Sequence, residues 1–130
     1  MYVTAFFAGL LAMFYSLLAF RVIRSRRSAR IAFGDGGDKA TLRAIRVHAN
    51  FSEYVPFTLL LMALAEWQSV PAWILILMGT MLTTGRFIHA YGVTREPEIT
   101  GSRTLGMGLT FAALIVLAAL NLALGIYQAL

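Results

Sequence analysis

Residues 43–61, RAIRVHANFSEYVPFTLLL, begin as a soluble helix would and end as a membrane span would. Two arginines, a histidine, an asparagine and a glutamate lead straight into an apolar run with no turn residue between them. A membrane helix needs roughly 20 mostly apolar residues, and Thr41 to Ala65 fills that length only if the polar half is included. By helical rise, Glu53 then lies roughly 15 Å past the start of the span, close to the bilayer midplane. A carboxylate facing lipid at that depth is strongly disfavoured, so Glu53 is expected to face protein or a wet cavity.

Three further segments are long and apolar enough to span: Tyr2 to Val22, Val70 to Tyr91 and Arg103 to Ala129. Open sheet cannot cross lipid, and nothing alternates with the period of a barrel strand. The expected fold is all-α, a four-helix transmembrane bundle forming a single membrane domain over residues 1–130. Composition agrees, since 59% of residues are hydrophobic and mean hydropathy is +0.75, whereas a soluble domain of this size needs far more polar surface. The opening run MYVTAFFAGLLAMFYSLLAF has no basic residue ahead of it and arginines behind it, which reads as a retained span rather than a signal peptide. The sequence has no cysteine. That excludes a disulfide framework, a thiolate metal site and a cysteine nucleophile, and no metal site is expected.

The net charge of +5 is unevenly spread. The first connection, RVIRSRRSARIAFGDGGDK, holds Arg21, Arg24, Arg26, Arg27, Arg30 and Lys39; the second, EWQSVP, has no Lys or Arg; the third, GVTREPEITGSR, has Arg95 and Arg103. The excess of positive charge predicts that the first and third loops are cytoplasmic and the termini periplasmic or lumenal. Most of Arg21 to Arg30 is explained by topology and lipid-phosphate contact. The basic segment is short and lacks an aromatic platform, so nucleic-acid binding is not expected. Gly-Asp-Gly-Gly ahead of Asp38 predicts a turn.

At 100° per residue, Arg43, Arg46, Asn50 and Glu53 fall within about 80° of arc, with Tyr54 at the edge and His48 pointing away. A buried ladder of such residues can hold helices together. The whole stripe, aligned and opening toward the cytoplasm, favours a ligand site. Pro56 predicts a bend just below it. The third span ends TTGRFIHAYG, in which Arg86 and His89 share a face. Arg86 lies about a turn and a half inside the interface, so snorkelling to headgroups is an equally open reading. Gly108, Ala112, Ala119 and Ala123 read as close helix packing along the fourth span.

From Arg46 to Pro56, R-V-H-A-N-F-S-E-Y-V-P closely resembles the signature of the MAPEG superfamily, the membrane-associated proteins in eicosanoid and glutathione metabolism. Arg46, Asn50, Glu53, Tyr54 and Pro56 match it, including the S-E-Y-x-P run of the leukotriene C synthase branch. G-R-x-x-H at Gly85–His89 is similar to the prostaglandin E synthase branch, and the GDGG loop with His48 to the small bacterial members. The resemblance covers essentially the whole chain. It implies a homotrimer in a membrane, the inner membrane for a bacterial member, with glutathione as co-substrate between neighbouring protomers near the cytosolic face. Carried over by position, Arg46, Asn50, Glu53 and Tyr54 bind glutathione from the second span and His89 adds to the site from the third. One of Arg24, Arg26 and Arg27 corresponds to the first-span ligand; Arg24 and Arg26 are carried over as binding residues and Arg27 as catalytic. Arg103 matches the arginine placed beside the sulfur. One turn past His89 the family's aromatic position is Val93 here, with Tyr91 nearby, a departure that bears on the sulfur pocket.

The chemistry of these residues is consistent with that implication. Glutathione carries two carboxylates and one ammonium and reacts as a thiolate. The planar arginine fork bonds both oxygens of a carboxylate, and Glu53 suits the ammonium or anchors Arg46. An arginine at the sulfur lowers the thiol pKa and favours the nucleophile. The expected activity is therefore glutathione-dependent transfer or peroxidase chemistry on lipophilic electrophiles or hydroperoxides that partition from the surrounding membrane lipid. The alternative is a non-enzymatic lipid- or fatty-acid-binding protein of the same fold, as the family's lipoxygenase-activating protein is. A transporter or channel subunit is the third reading, and a single strongly polar span argues against it.

Overall fold

The computed structural model describes residues 1–130 as four helices: α1 (Tyr2–Ala29), α2 (Lys39–Trp67), α3 (Ala72–Thr94) and α4 (Thr100–Ala129). Each is about 35–45 Å long by its rise. The links at 68–71 and 95–99 are too short to run back along a helix, so successive helices return across the bilayer. The expected four-helix bundle is what forms. α1, α3 and α4 are long and apolar enough to cross a membrane. α2 matches them in length, and its arginines, His48, Asn50 and Glu53 lower its hydropathy.

The helices outrun the apolar segments that foretold them. α1 continues past Val22 through Arg24, Arg26 and Arg27 to Ala29 and ends on Arg30 in the left-handed conformation, φ 57°. Hydropathy measures the thickness of hydrocarbon, whereas arginine is a good helix former, so the helix carries on into the headgroup layer. The basic cluster is thus displayed on a rigid surface rather than in a loop. The turn expected at Gly-Asp-Gly-Gly is present: Gly34, Gly36 and Gly37 all have positive φ, and Asp35 Oδ1 accepts the Gly37 N–H at 3.1 Å. Asp38 then caps α2, its Oδ2 accepting the Thr41 N–H at 2.7 Å. Thr41 also bonds Ser25 through their hydroxyls at 2.8 Å, tying the start of α2 to the emergent end of α1. α2 runs uninterrupted through Pro56.

Leu11 and Leu18 of α1, Val47, Phe51, Val55 and Met62 of α2, Leu75 and Leu82 of α3, and Ala113 and Leu117 of α4 form the apolar centre. At the end away from the basic loops, polar groups do the joining. The Glu66 carboxylate accepts the backbone N–H groups of Val3 at 3.0 Å and Thr4 at 2.8 Å. Asn121 donates to the carbonyls of Leu61 at 2.9 Å and Leu117 at 2.8 Å, and accepts from Gln68 at 2.9 Å.

The closest helix contact is between α3 and α4, and it corrects the expected packing stripe. Within the chain Gly108 faces open space, Ala119 and Ala123 are exposed, and Ala112 is only half-buried. The buried stripe is Gly106, Thr110, Ala113 and Leu117. Small residues occur all round α4, so their spacing alone did not identify the side facing α3. The seam is set by Gly106, where a Cβ would lie 2.6 Å from the Gly85 carbonyl oxygen and 2.7 Å from the His89 Cβ.

Gly106→Ala should lower the melting temperature of the detergent-purified protein, because overpacking costs about 1–3 kcal/mol. That exceeds the roughly 1 kcal/mol by which alanine favours a helix over glycine. Gly108→Ala, which meets nothing, should leave the melting temperature unchanged or raise it.

Candidate functional site

The topology brings the start of α2, the end of α3 and the start of α4 to one end of the bundle. There a cleft of about 500 Å³ is lined by Lys39, Leu42, Arg43, Arg46 and Asn50 of α2, His89 and Val93 of α3, Glu98 of the link and Arg103 of α4. Arg43, Arg46 and Asn50 reach it together because spacings of three and four keep them on one side of α2.

Its cations fall into two groups. Arg43 pairs with Glu96 at 3.0 Å and Arg103 with Glu98 at 3.0 Å, so the two carboxylates flanking Pro97 tie α2 and α4 to the third loop. The hydrogen bond from Arg43, reinforced by its charge, holds the Glu96 carboxyl below its ordinary value. Lys39 and Arg46 have no ion pair within the chain and leave the cleft with uncompensated positive charge.

Beneath the cleft lies a residue whose orientation the sequence left open. Arg86 does not snorkel to the headgroups; it is 2% exposed and turned into the bundle. Its Nη1 donates to Asn50 Oδ1 at 2.7 Å and its Nη2 to the Gly106 carbonyl at 3.3 Å, with the Met107 sulfur 3.4 Å away. His89 is buried one turn further along α3. The signal in the sequence was the shared face of Arg86 and His89. The missing information was that Asn50 and a bare glycine carbonyl would meet that face from two other helices.

The structure divides the expected site residues. Arg46, Asn50, His89 and Arg103 converge on the cleft. Glu53 does not: within one chain it is exposed and unpaired, so neither the protein nor the wet cavity expected to receive it is supplied by its own chain. Rotation and depth together account for this. Val47, Phe51 and Val55 define the core side of α2. Glu53 stands on the edge of the stripe farthest from them, about 80° round from Arg43, and about 10 Å further along the helix than Arg46, which shares that edge but lies level with the cleft. Tyr54, on the nearer edge, is half-buried and packs edge-to-face on Phe111 with ring centres 5.1 Å apart, outside the cleft lining. None of the first-loop candidates enters this cleft within one chain. Arg24 lines a second cleft, Arg26 donates to the Gly34 carbonyl at 3.2 Å, and Arg27 is exposed. His48 points away from the stripe, as expected, and stacks on Tyr15 at 4.6 Å.

The sequence model of the MAPEG family matches residues 4–123, a range that contains every residue lining the cleft. The inner membrane protein YecN of Escherichia coli strain K12 is 35% identical over 120 residues, covering 92% of this chain and 90% of that protein. YecN of Escherichia coli O6:H1 gives the same identity and coverage.

Asn50→Ala removes the side-chain acceptor of a buried guanidinium and should cost about 1.5–3 kcal/mol, the range for hydrogen bonds to charged groups, read as a lower melting temperature. The Arg43–Glu96 pair should respond to pH in one direction. Because the folded-state carboxyl lies below its ordinary value of 4.5, its stabilisation is complete above that value and is lost as pH falls through the lowered one. The protection factors of the amides between residues 95 and 99, each observed exchange rate taken against the intrinsic rate at the same pH, should fall in acid and be highest at neutral pH.

Proposed function

Because the chain belongs to the MAPEG family of helical membrane proteins, we propose that it binds glutathione in the α2–α4 cleft and uses the thiolate on lipophilic electrophiles or hydroperoxides. The observation that carries this reading is the pair of uncompensated cations, Lys39 and Arg46, in a 500 Å³ cleft that also holds Arg103. Such a cleft has the size of a small-molecule site, and its charge suits a ligand with two carboxylates and a sulfur that must become anionic.

In this reading Arg46 and Lys39 take the carboxylates, Asn50 and His89 fix the ligand by hydrogen bonds, and Arg103 stabilises the thiolate. Arg103 is held by Glu98, and a partly exposed ion pair is weak enough to yield it. The sulfur lone pair forms the new S–C bond as the leaving group departs. With a hydroperoxide the sulfur attacks the terminal oxygen, the O–O bond breaks to leave a sulfenic acid on glutathione, and the alkoxide takes a proton from water. A second glutathione then condenses with the sulfenic acid to give the disulfide and water. The homotrimer belongs to the same proposal. Glu53 stands near the bilayer midplane with no partner in its own chain, and a neighbouring protomer against that face removes it from lipid. The neighbour also lets Glu53 and Tyr54 meet a ligand across the interface. Arg24 faces a different cleft, which favours Arg26 or Arg27 as the first-loop contribution. The name of YecN and the arginine-rich first loop support an inner-membrane location with loops one and three cytoplasmic.

One observation favours a second reading, a non-enzymatic lipid-binding protein. An apolar groove of about 290 Å³ runs between α1 and α2, lined by residues that include Leu11, Phe51, Val55 and Leu59. Its apolar lining suits an acyl chain, and that role needs no thiol.

Mixing glutathione with the detergent-purified oligomer should give saturable binding and a thiolate absorbance. Arg46→Gln should weaken binding roughly 10–100-fold, as expected for loss of a charge-assisted hydrogen bond. Arg103→Ala should abolish the thiolate signal while binding persists. Native mass spectrometry should report a trimer. No saturable binding by folded protein rules the glutathione reading out, and retained fatty acid without conjugation across an electrophile panel establishes the second.

A further inference from the structure

We propose that α1 carries a site for one anionic phospholipid, separate from the α2–α4 cleft and independent of the glutathione reading. On α1, Phe14, Leu17, Arg21, Arg24 and Ser28 recur at spacings of three, four, three and four, which is a single helical stripe. From Phe14 to Ser28 it extends about 21 Å. Two concavities lie along it. The inner one, about 370 Å³, is lined by Phe14, Leu17, Leu18, Phe20, Arg21 and Arg24. The outer one, about 480 Å³, is lined by Arg21, Arg24 and Ser28 together with the start of α2, Thr94 and Glu96. Arg21 and Arg24 belong to both, so an apolar groove and a polar cleft meet at two guanidinium groups.

That order of chemistry along the helix, hydrocarbon first and cations second, is the order of a lipid. The apolar run of α1 ends at Val22 and Ile23, which sets Arg21 and Arg24 at the level of the phospholipid phosphates. The donors there are also unspoken for. Arg21, Arg24 and the Ser28 hydroxyl have no hydrogen-bond or ion-pair partner in the chain, whereas Ser25 is taken by Thr41 at 2.8 Å and Arg43 by Glu96 at 3.0 Å. Glu96 is the one carboxylate in the outer cleft and is already engaged, so two guanidinium forks and a hydroxyl remain for a phosphate. Because α1 stays helical through Ala29, these groups are held in register before any lipid arrives.

Diffuse attraction of a polybasic segment to an anionic bilayer depends on the number of charges; a site depends on which charges. The test uses full-length protein in nanodiscs of mixed phosphatidylglycerol and phosphatidylcholine, released for native mass spectrometry. The wild type should retain phosphatidylglycerol over phosphatidylcholine. Arg21→Gln with Arg24→Gln should reduce that retention about tenfold or more, as loss of charge-assisted hydrogen bonds implies. Arg30→Gln with Arg95→Gln, which removes the same charge at the same membrane face, should not. Leu17→Trp, which fills the groove without touching charge, should also reduce retention and keeps the test open if the double arginine variant misfolds. Lysophosphatidylglycerol should displace the bound lipid where inorganic phosphate at equal concentration does not. Equal loss from both double variants, equal retention of phosphatidylcholine, or displacement by phosphate alone would overturn the proposal.

Discussion

A guanidinium enclosed by helices within a membrane must find its acceptors in the protein, because hydrocarbon offers none. Arg86 finds two on other helices, the Asn50 side chain of α2 and the Gly106 carbonyl of α4, while its buried Nε–H has no acceptor. The Gly106 carbonyl also accepts the Thr110 hydroxyl at 2.9 Å, so one oxygen organises a short polar knot. The consequences spread from there. A residue larger than glycine at 106 would push α4 away from Gly85 and His89, and the floor of the cleft would open. Asn50 must keep its side chain inward, which fixes the rotation of α2 and with it the directions of Arg43 and Arg46.

That fixed rotation also marks where the sequence stops being informative. Helix number, the glycine turn, the polar stripe and its spacing were all legible, because each depends on local periodicity or on the thickness of hydrocarbon. Periodicity gives angles between residues of one helix, not the direction in which the helix faces its neighbours. The spacing of Arg46, Asn50 and Glu53 puts them on one stripe, while the side of that stripe that meets the bundle is set by Val47, Phe51 and Val55, which pack into the core. The same limit separates Gly106 from Gly108, since both are small residues on one helix and only one faces α3. Arg86 and the reach of α1 past Val22 lay beyond hydropathy for another reason. A charged residue lowers a hydropathy score equally whether it is buried with partners, snorkelled to the interface or standing in water.

The charges around the cleft are arranged so that some are fixed and some are exchangeable. Arg86 is enclosed and serves architecture. Arg43 and Arg103 are held by Glu96 and Glu98 at the rim, where solvent keeps such pairs weak. Lys39 and Arg46 are uncommitted. On the proposed reading, a bound anion would meet the free cations Lys39 and Arg46 without breaking an ion pair, whereas Arg103 would have to leave Glu98. The separation follows from depth, since the same ionic chemistry is permanent in the interior and labile at the edge.

The bond between Glu66 and the first turn of α1 bears on how the chain is made. The N–H groups of Val3 and Thr4 are satisfied by a carboxylate more than sixty residues later in sequence. While the ribosome is still extending the first loop, α1 has no acceptor for those groups except water and headgroups. They gain one only when the far end of α2 packs beside them. The smallest part of the bundle in which that end of α1 is sealed is thus the α1–α2 hairpin rather than α1 alone.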